Sequence, residues 1–183
     1  MHYWISLLLV ILFAACSPTI TSTSPPVLTP TPTLSPAVSL TLGIWHDMIY
    51  HDRVGKVVLV NGGPEEGKSS TDALELWSWD GEKWSLLSAD PTGPRWRNFA
   101  SVTYDTKRKV LVLYGGLQSE DQNFEDTWEW DGINWTQYTS EGPGPREAAG
   151  ITYDSARERV VLFGGAQSGR MMNDTWEMDS NVC

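Results

Sequence analysis

The sequence predicts an all-β fold built from about three copies of a four-stranded antiparallel sheet, the last copy incomplete. Three observations carry this. Apolar runs ending in a glycine pair recur as KVVLVNGG, KVLVLYGG and RVVLFGG, with the pairs beginning at Gly62, Gly115 and Gly164, 53 and 49 residues apart. Tyr50, Tyr104 and Tyr153 precede these runs at intervals of 54 and 49. A Trp-x-Trp line closed by Asp-Gly-x-x-Trp appears twice, with Trp84 and Trp135 separated by 51 residues. Markers sharing one period near 50 are the signature of an array of identical structural units.

Each element of one copy has a physical reason. The segment around Tyr50, Tyr104 or Tyr153 reads as a short first strand, and the polar residues after it as a tight turn. The second strand is an unbroken apolar run, so it is expected to be covered on both faces. Its glycine pair (Gly62-Gly63, Gly115-Gly116, Gly164-Gly165) ends the strand where a missing Cβ allows unusual dihedrals and close approach of another backbone. Polar loops follow, at Pro64–Asp72, Leu117–Glu125 and Ala166–Asn173.

The third strand alternates, which places Trp77 with Trp79, and Trp128 with Trp130, on one face. Asp80-Gly81 and Asp131-Gly132 are hairpin turns into a fourth strand opened by Trp84 or Trp135. The third copy keeps Trp176 and puts Met178 in a tryptophan position. Ser180 replaces its turn glycine, so the fourth strand is not expected there.

Strands buried on both sides require sheets stacked face to face, with the indoles filling the wedge between them, which is the construction of a propeller. These motifs resemble the kelch repeat and the related propeller of galactose oxidase. The resemblance implies a partial kelch-type β-propeller with blades at 40–98, 99–147 and an incomplete one at 148–183. Arg97 and Arg146 keep the arginine that the family places ahead of the tyrosine, while only His46 keeps the histidine. A galactose oxidase copper centre uses a Tyr–Cys crosslink, and these blades hold no cysteine ahead of Cys183, the last residue, so no cofactor, metal or enzyme activity is expected.

The apolar outer faces of the first and third blades have no partner in the predicted array. A truncated copy of a longer propeller enzyme or sensor, self-association of two chains into one six-bladed ring, and an open stack all remain consistent with the sequence.

Residues 1–46 contain no Asp, Glu, Lys or Arg. Tyr3–Ala15 is a 13-residue run of apolar and small residues. It is too short to span a bilayer and suited to a signal-peptide core, giving a signal peptide at 1–15. It ends FAAC, which resembles the lipobox of bacterial lipoproteins. The resemblance implies that Cys16 is acylated and that the chain is lipid-anchored in the bacterial cell envelope, exposed outside the cytoplasm. Residues 16–39 then form a tether. Sixteen of the 22 residues from Ser17 to Val38 are Ser, Thr or Pro, a composition that buries no core and stays extended. Cys183 is the other cysteine, so no disulfide framework is implied.

The formal net charge is −10, which argues against nucleic acid, because phosphate binding needs clustered Lys and Arg. Lys107-Arg108-Lys109 reads as a solvated turn rather than such a cluster. The carboxylates of SEDQNFED lack the spacing of a calcium loop, and Asp126 and Asp174 are expected to brace the loop backbone. His46 is expected to be a packed or hydrogen-bonded strand residue. The remaining expectation is a non-catalytic module that binds a protein or glycan through loops on one face. Trp96, Arg97, Phe124, Arg170 and Met171 are the candidate contact residues, since aromatics and arginine dominate binding hot spots.

Overall fold

The structure is a computed structural model that describes residues 46–61, 72–119, 122–138 and 141–179. The signal peptide, Cys16 and the tether lie outside the described residues, as do Gly62, Gly63 and the tail from Ser180 to Cys183.

The described residues contain strands and turns and no helix. The first sheet runs β1 (Asp47–His51), β2 (Lys56–Asn61), β3 (Glu75–Trp79) and β4 (Trp84–Ser88), each strand antiparallel to the next. The second sheet opens with β5 (Ser101–Asp105) and β6 (Val110–Tyr114). A small hairpin interrupts it, made of β7 (Leu117–Ser119) and β8 (Gln122–Asn123), and β9 (Thr127–Trp130) and β10 (Trp135–Tyr138) complete it. The third sheet is β11 (Gly150–Asp154), β12 (Arg159–Phe163) and, after the hairpin β13 (Ala166–Gln167) and β14 (Arg170–Met171), β15 (Thr175–Asp179). This is the predicted architecture: propeller blades of antiparallel strands, three strands deep in the last described one.

The blades stack with β5 between β1 and β11. The core lies between the first and second sheets, where Val58, Val60, Leu74 and Leu76 meet Leu111, Leu113, Trp130 and Trp135. Val110–Tyr114 is covered on both faces, as its unbroken apolar run requires: Leu111 to Tyr114 are all buried. The equivalent run in the third sheet is covered on one face only. Val160 and Leu162 are buried, whereas Phe163, on the other face, is 55% exposed.

The turns follow their sequence signals. Asp80 Oδ1 accepts from the Glu82 and Lys83 amides, and Asp131 Oδ1 from those of Ile133 and Asn134, at 2.8–2.9 Å. Gly81 and Gly132 supply the positive φ that such turns need. The glycine pairs have a sharper reason. At Gly116, with φ +105°, a Cβ would sit 2.8 Å from the Asn98 carbonyl oxygen, and at Gly165 one would sit 2.7 Å from that of Glu147. The pairs at Gly115 and Gly164 therefore mark where the end of a second strand crosses the connection that enters its own sheet.

The sheets are also tied together at their turns. His51, at the end of β1, is fully buried between the rings of Tyr104 and Trp130, at centroid distances of 4.8 and 5.0 Å. Its Nε2 donates to the Trp130 carbonyl (3.5 Å) and its Nδ1 accepts from the Val54 amide (3.4 Å). Beside it Arg53 donates to the Asp131 carbonyl (2.8 Å), and the Asp52 amide donates to the Tyr104 hydroxyl (3.2 Å). One donor and one acceptor on the ring define the neutral imidazole. Burial holds the His51 pKa below the ordinary 6.5, the Trp130 carbonyl and Asp52 opposing that shift and Arg53 adding to it.

The sign of the pH dependence follows. Unfolded His51 takes up a proton near 6.5 and the folded ring resists it, so the unfolded state binds more protons below that value. Stability is fully present above pH 6.5 and is expected to decline as the pH falls below it, with a limiting slope of about 1.4 kcal/mol per pH unit from this group. Urea unfolding between pH 7.5 and 5 checks this, and His51→Gln is expected to flatten the slope over that range.

Candidate functional site

One edge of the stack collects the loops that the sequence singled out, and two arginines organise it. Arg97 and Arg146 lie on the connections that enter the second and third sheets, and they are 1% and 2% exposed. The Arg97 guanidinium donates to the Gly115 carbonyl (3.0 Å) and grips both carboxylate oxygens of Asp126, the second at 3.1 Å. Its Nε donates to the Arg95 carbonyl, and its Cζ lies over the Phe124 ring, 3.8 Å from the ring centre. Arg146 repeats the arrangement on the Gly164 carbonyl (2.9 Å) and Asp174 (2.9 and 3.0 Å).

Each aspartate has a second duty. Asp126 accepts from Trp128 Nε1 (2.7 Å) and Asp174 from Trp176 Nε1 (2.6 Å), with Glu75 doing the same for Trp77 (2.9 Å). These contacts, Arg146 first, hold the Asp174 carboxyl well below the usual carboxylate range. The Gly115 and Gly164 amides donate to the Asp126 and Asp174 carbonyls, so both aspartates do brace backbone as well.

Arg97 is therefore removed from the list of contact residues. Its three nitrogens donate to carbonyls or a carboxylate inside the protein, and its burial leaves a ligand little to reach. Phe124 is half-buried beneath it, and Trp96 is half-buried with its amide bonded to the Asp72 carbonyl (2.8 Å). Arg170 and Met171 stay at the surface, Met171 at 80% exposure. They sit in β14, where the sequence suggested only a polar loop. Both small hairpins form because their backbones pair over two or three residues and then rest on the incoming connection, at Asn98–Leu117 and Glu147–Ala166.

Between the starts of the inner strands β1, β5 and β11 lies a shallow pocket of about 420 Å³. His46, Asp47, Phe99, Ser101 and Ala148 are among the residues lining it. His46 is exposed just ahead of β1 rather than within the strand. Burial pushes the Asp47 carboxyl up, with His46 opposing the shift. Phe99 and Ala148 both hold a positive φ, +52° and +51°, in the connections that their arginines clamp. The Ala148 amide donates to the Phe99 carbonyl (2.9 Å), and the Ser101 hydroxyl donates to the Ala149 carbonyl (2.8 Å). The pocket thus offers one aromatic ring, one carboxyl and one imidazole on a rigid backbone. That set can orient hydrogen-bonding groups and stack a flat face. Phe99, Asp47 and Ala148 were missed by sequence reasoning. The available signal was the position two residues after each arginine, where the side chain differs between copies.

Among the described residues no three His, Cys, Asp or Glu side chains come together to hold a metal ion.

A family model, the KLHDC2/KLHL20/DRC7 Kelch-repeats domain, matches residues 46–182. The chain belongs to the kelch-repeat family. The structure of YjhT is similar at a TM-score of 0.51 and 16% identity, covering 69% of this chain and 40% of YjhT. A fungal alcohol oxidase of the AA5 family, in complex with copper, gives a TM-score of 0.49 and 19% identity, covering 68% of this chain and 27% of the oxidase. The kelch chain thus spans less than half the length of either structure. No curated protein sequence matches it.

Proposed function

We propose that the chain is a non-catalytic kelch module, held by an acylated Cys16 at the bacterial cell envelope and exposed outside the cytoplasm, that binds a protein or glycan through its loop face. The pocket at Asp47 and Phe99 is the observation that carries this reading. Its backbone is fixed by the Arg97 and Arg146 clamps while its side chains differ from copy to copy, as suits a scaffold presenting variable contacts. Phe99, with Met171 and Arg170 at the rim of the same face, supplies the aromatic, soft and charged groups that anchor partners.

Two measurements test it. In a bacterial host grown with an alkyne fatty acid, the wild-type chain is expected to incorporate the label and partition with membranes. Cys16→Ser is expected to lose both. On immobilised glycans and extracellular protein panels, any ligand bound by the wild type is expected to bind Phe99→Ala and Asp47→Ala at least 10-fold more weakly. Binding that survives both substitutions would remove the loop-face pocket from this role.

A second reading is favoured by length. Because the chain covers 40% of YjhT, it is also proposed as a portion of a larger propeller enzyme or sensor, whose active residues lie on other blades.

A further inference from the structure

The loop-face pocket holds a carboxylate that the described residues leave without a cation. Asp105, Asp126, Asp131, Asp154 and Asp174, the aspartates of the turns and clamps, each hold an arginine. Asp47, the first residue of β1, lines the pocket and is exposed. Among the described residues its carboxylate forms no ion pair, and the charge that acts on it is that of His46, its neighbour in the chain. Burial raises its pKa because His46 offsets the lost hydration only in part.

We propose that this pocket takes the cationic side chain of a lysine or arginine presented by a partner protein, its charge on Asp47 and its aliphatic stem along Phe99, Val102 and Ile151; the assignment rests on the loop face being the binding surface. A cavity of about 420 Å³ has room for one such side chain. Ammonium and guanidinium groups carry donors and no acceptor, so they suit a carboxylate flanked by strand edges. β1, β5 and β11 are each the edge strand of their sheet, with backbone groups that no strand pairs among the described residues. The stem of a basic side chain buries readily on an apolar wall while its head stays at the polar end. An aromatic ring beside the cation adds to the attraction.

The same residues select against other ligands. No lysine or arginine is among the described residues that line the pocket. Arg97 and Arg146, on the connections behind it, turn their guanidinium groups onto Asp126 and Asp174. A carboxylate, phosphate or sulfate would therefore meet Asp47 with little to offset it, and the −10 charge of the whole chain steers basic partners instead. An amino sugar carries the right charge, but on a ring of hydroxyls that need partners of their own. Ser101 is the one side-chain hydroxyl among the described lining residues, and it already donates to the Ala149 carbonyl. A protein side chain with an aliphatic stem fits better.

The test titrates the full chain with lysine and arginine blocked as Nα-acetyl N-methylamides, following the NMR resonances of Asp47, Ser101 and Ala148. Saturable shifts are expected with at least one of the two. The neutral counterparts, blocked Nε-acetyl-lysine and citrulline, are expected to bind at least 10-fold more weakly. Asp47→Asn is expected to weaken the charged probes at least 10-fold and to leave the melting temperature unchanged, because Asp47 is exposed. Saturation with a charged probe is also expected to lower the Asp47 carboxyl pKa in the wild type, a response that a structural role alone does not produce. No saturable shift with either charged probe, equal binding of charged and neutral probes, or unchanged binding in Asp47→Asn overturns the proposal. Glucosamine that binds as tightly as the charged probes also overturns it, since a glycan amine would then be the occupant. A ligand from the glycan and protein panels that Phe99→Ala loses and Asp47→Asn keeps overturns the cation and leaves the loop-face pocket standing. One that survives both Phe99→Ala and Asp47→Ala removes the pocket as well.

Discussion

Replacing Arg97 with alanine is expected to cost about 3–5 kcal/mol of folding stability, the range for removing one member of a buried ion pair. Arg97 is almost wholly inside, and Asp126, its partner, is four-fifths covered. Without the guanidinium the Asp126 carboxylate keeps only Trp128 Nε1 among its side-chain donors, and the Gly115 carbonyl loses a donor. Phe124 loses the cation stacked on its ring as well. Arg97→Lys is not expected to rescue the fold. One ammonium cannot reach both oxygens of Asp126, the Gly115 carbonyl and the Arg95 carbonyl from a single point. Urea denaturation of wild type, Arg97→Ala, Arg97→Lys and the Arg97→Ala/Asp126→Ala double variant measures this directly. The double variant is expected to be more stable than Arg97→Ala alone, since it no longer buries a lone carboxylate. A cost under about 1 kcal/mol for Arg97→Ala would mean that the pair behaves as a surface contact.

That clamp was half legible in the sequence. Arg97 and Arg146 stand 49 residues apart, Asp126 and Asp174 stand 48 apart, and both pairs follow the repeat period. The period says that the same environment recurs, not which groups meet across 28 or 29 residues. Arginine therefore read equally well as a hot-spot residue and as a packed one. Strand order, the Asp-Gly turns and the glycine pairs were legible because local chemistry fixes them: alternation, a positive φ, a missing Cβ. The pocket was not, since Phe99 and Asp47 come together only when the inner strands converge. The packing role of His51 was not legible for a similar reason. The other copies have Asp105 and Asp154 at its position, and Asp105 turns inward to Arg108. Only the neighbouring sheet shows that the imidazole instead fills a gap against Tyr104 and Trp130.

Position within the array, not identity, should decide what each tryptophan contributes. Trp130 is 1% exposed, wedged between the first and second sheets with His51 and Trp135 against it. Trp130→Ala is expected to cost about 3–5 kcal/mol, the usual loss for truncating a buried aromatic. Trp79 occupies the same place in the first copy, but its face points away from the second sheet, and it is half-buried beside Trp84 at 5.4 Å. Trp79→Ala is expected to cost less than half as much in the same urea experiment. The comparison isolates the neighbouring sheet, because strand position, hairpin and flanking Asp-Gly are the same in both copies. Equal losses would show that each blade stabilises itself, and the stack would then be a string of independent sheets. A steep difference makes inter-sheet burial the main source of stability.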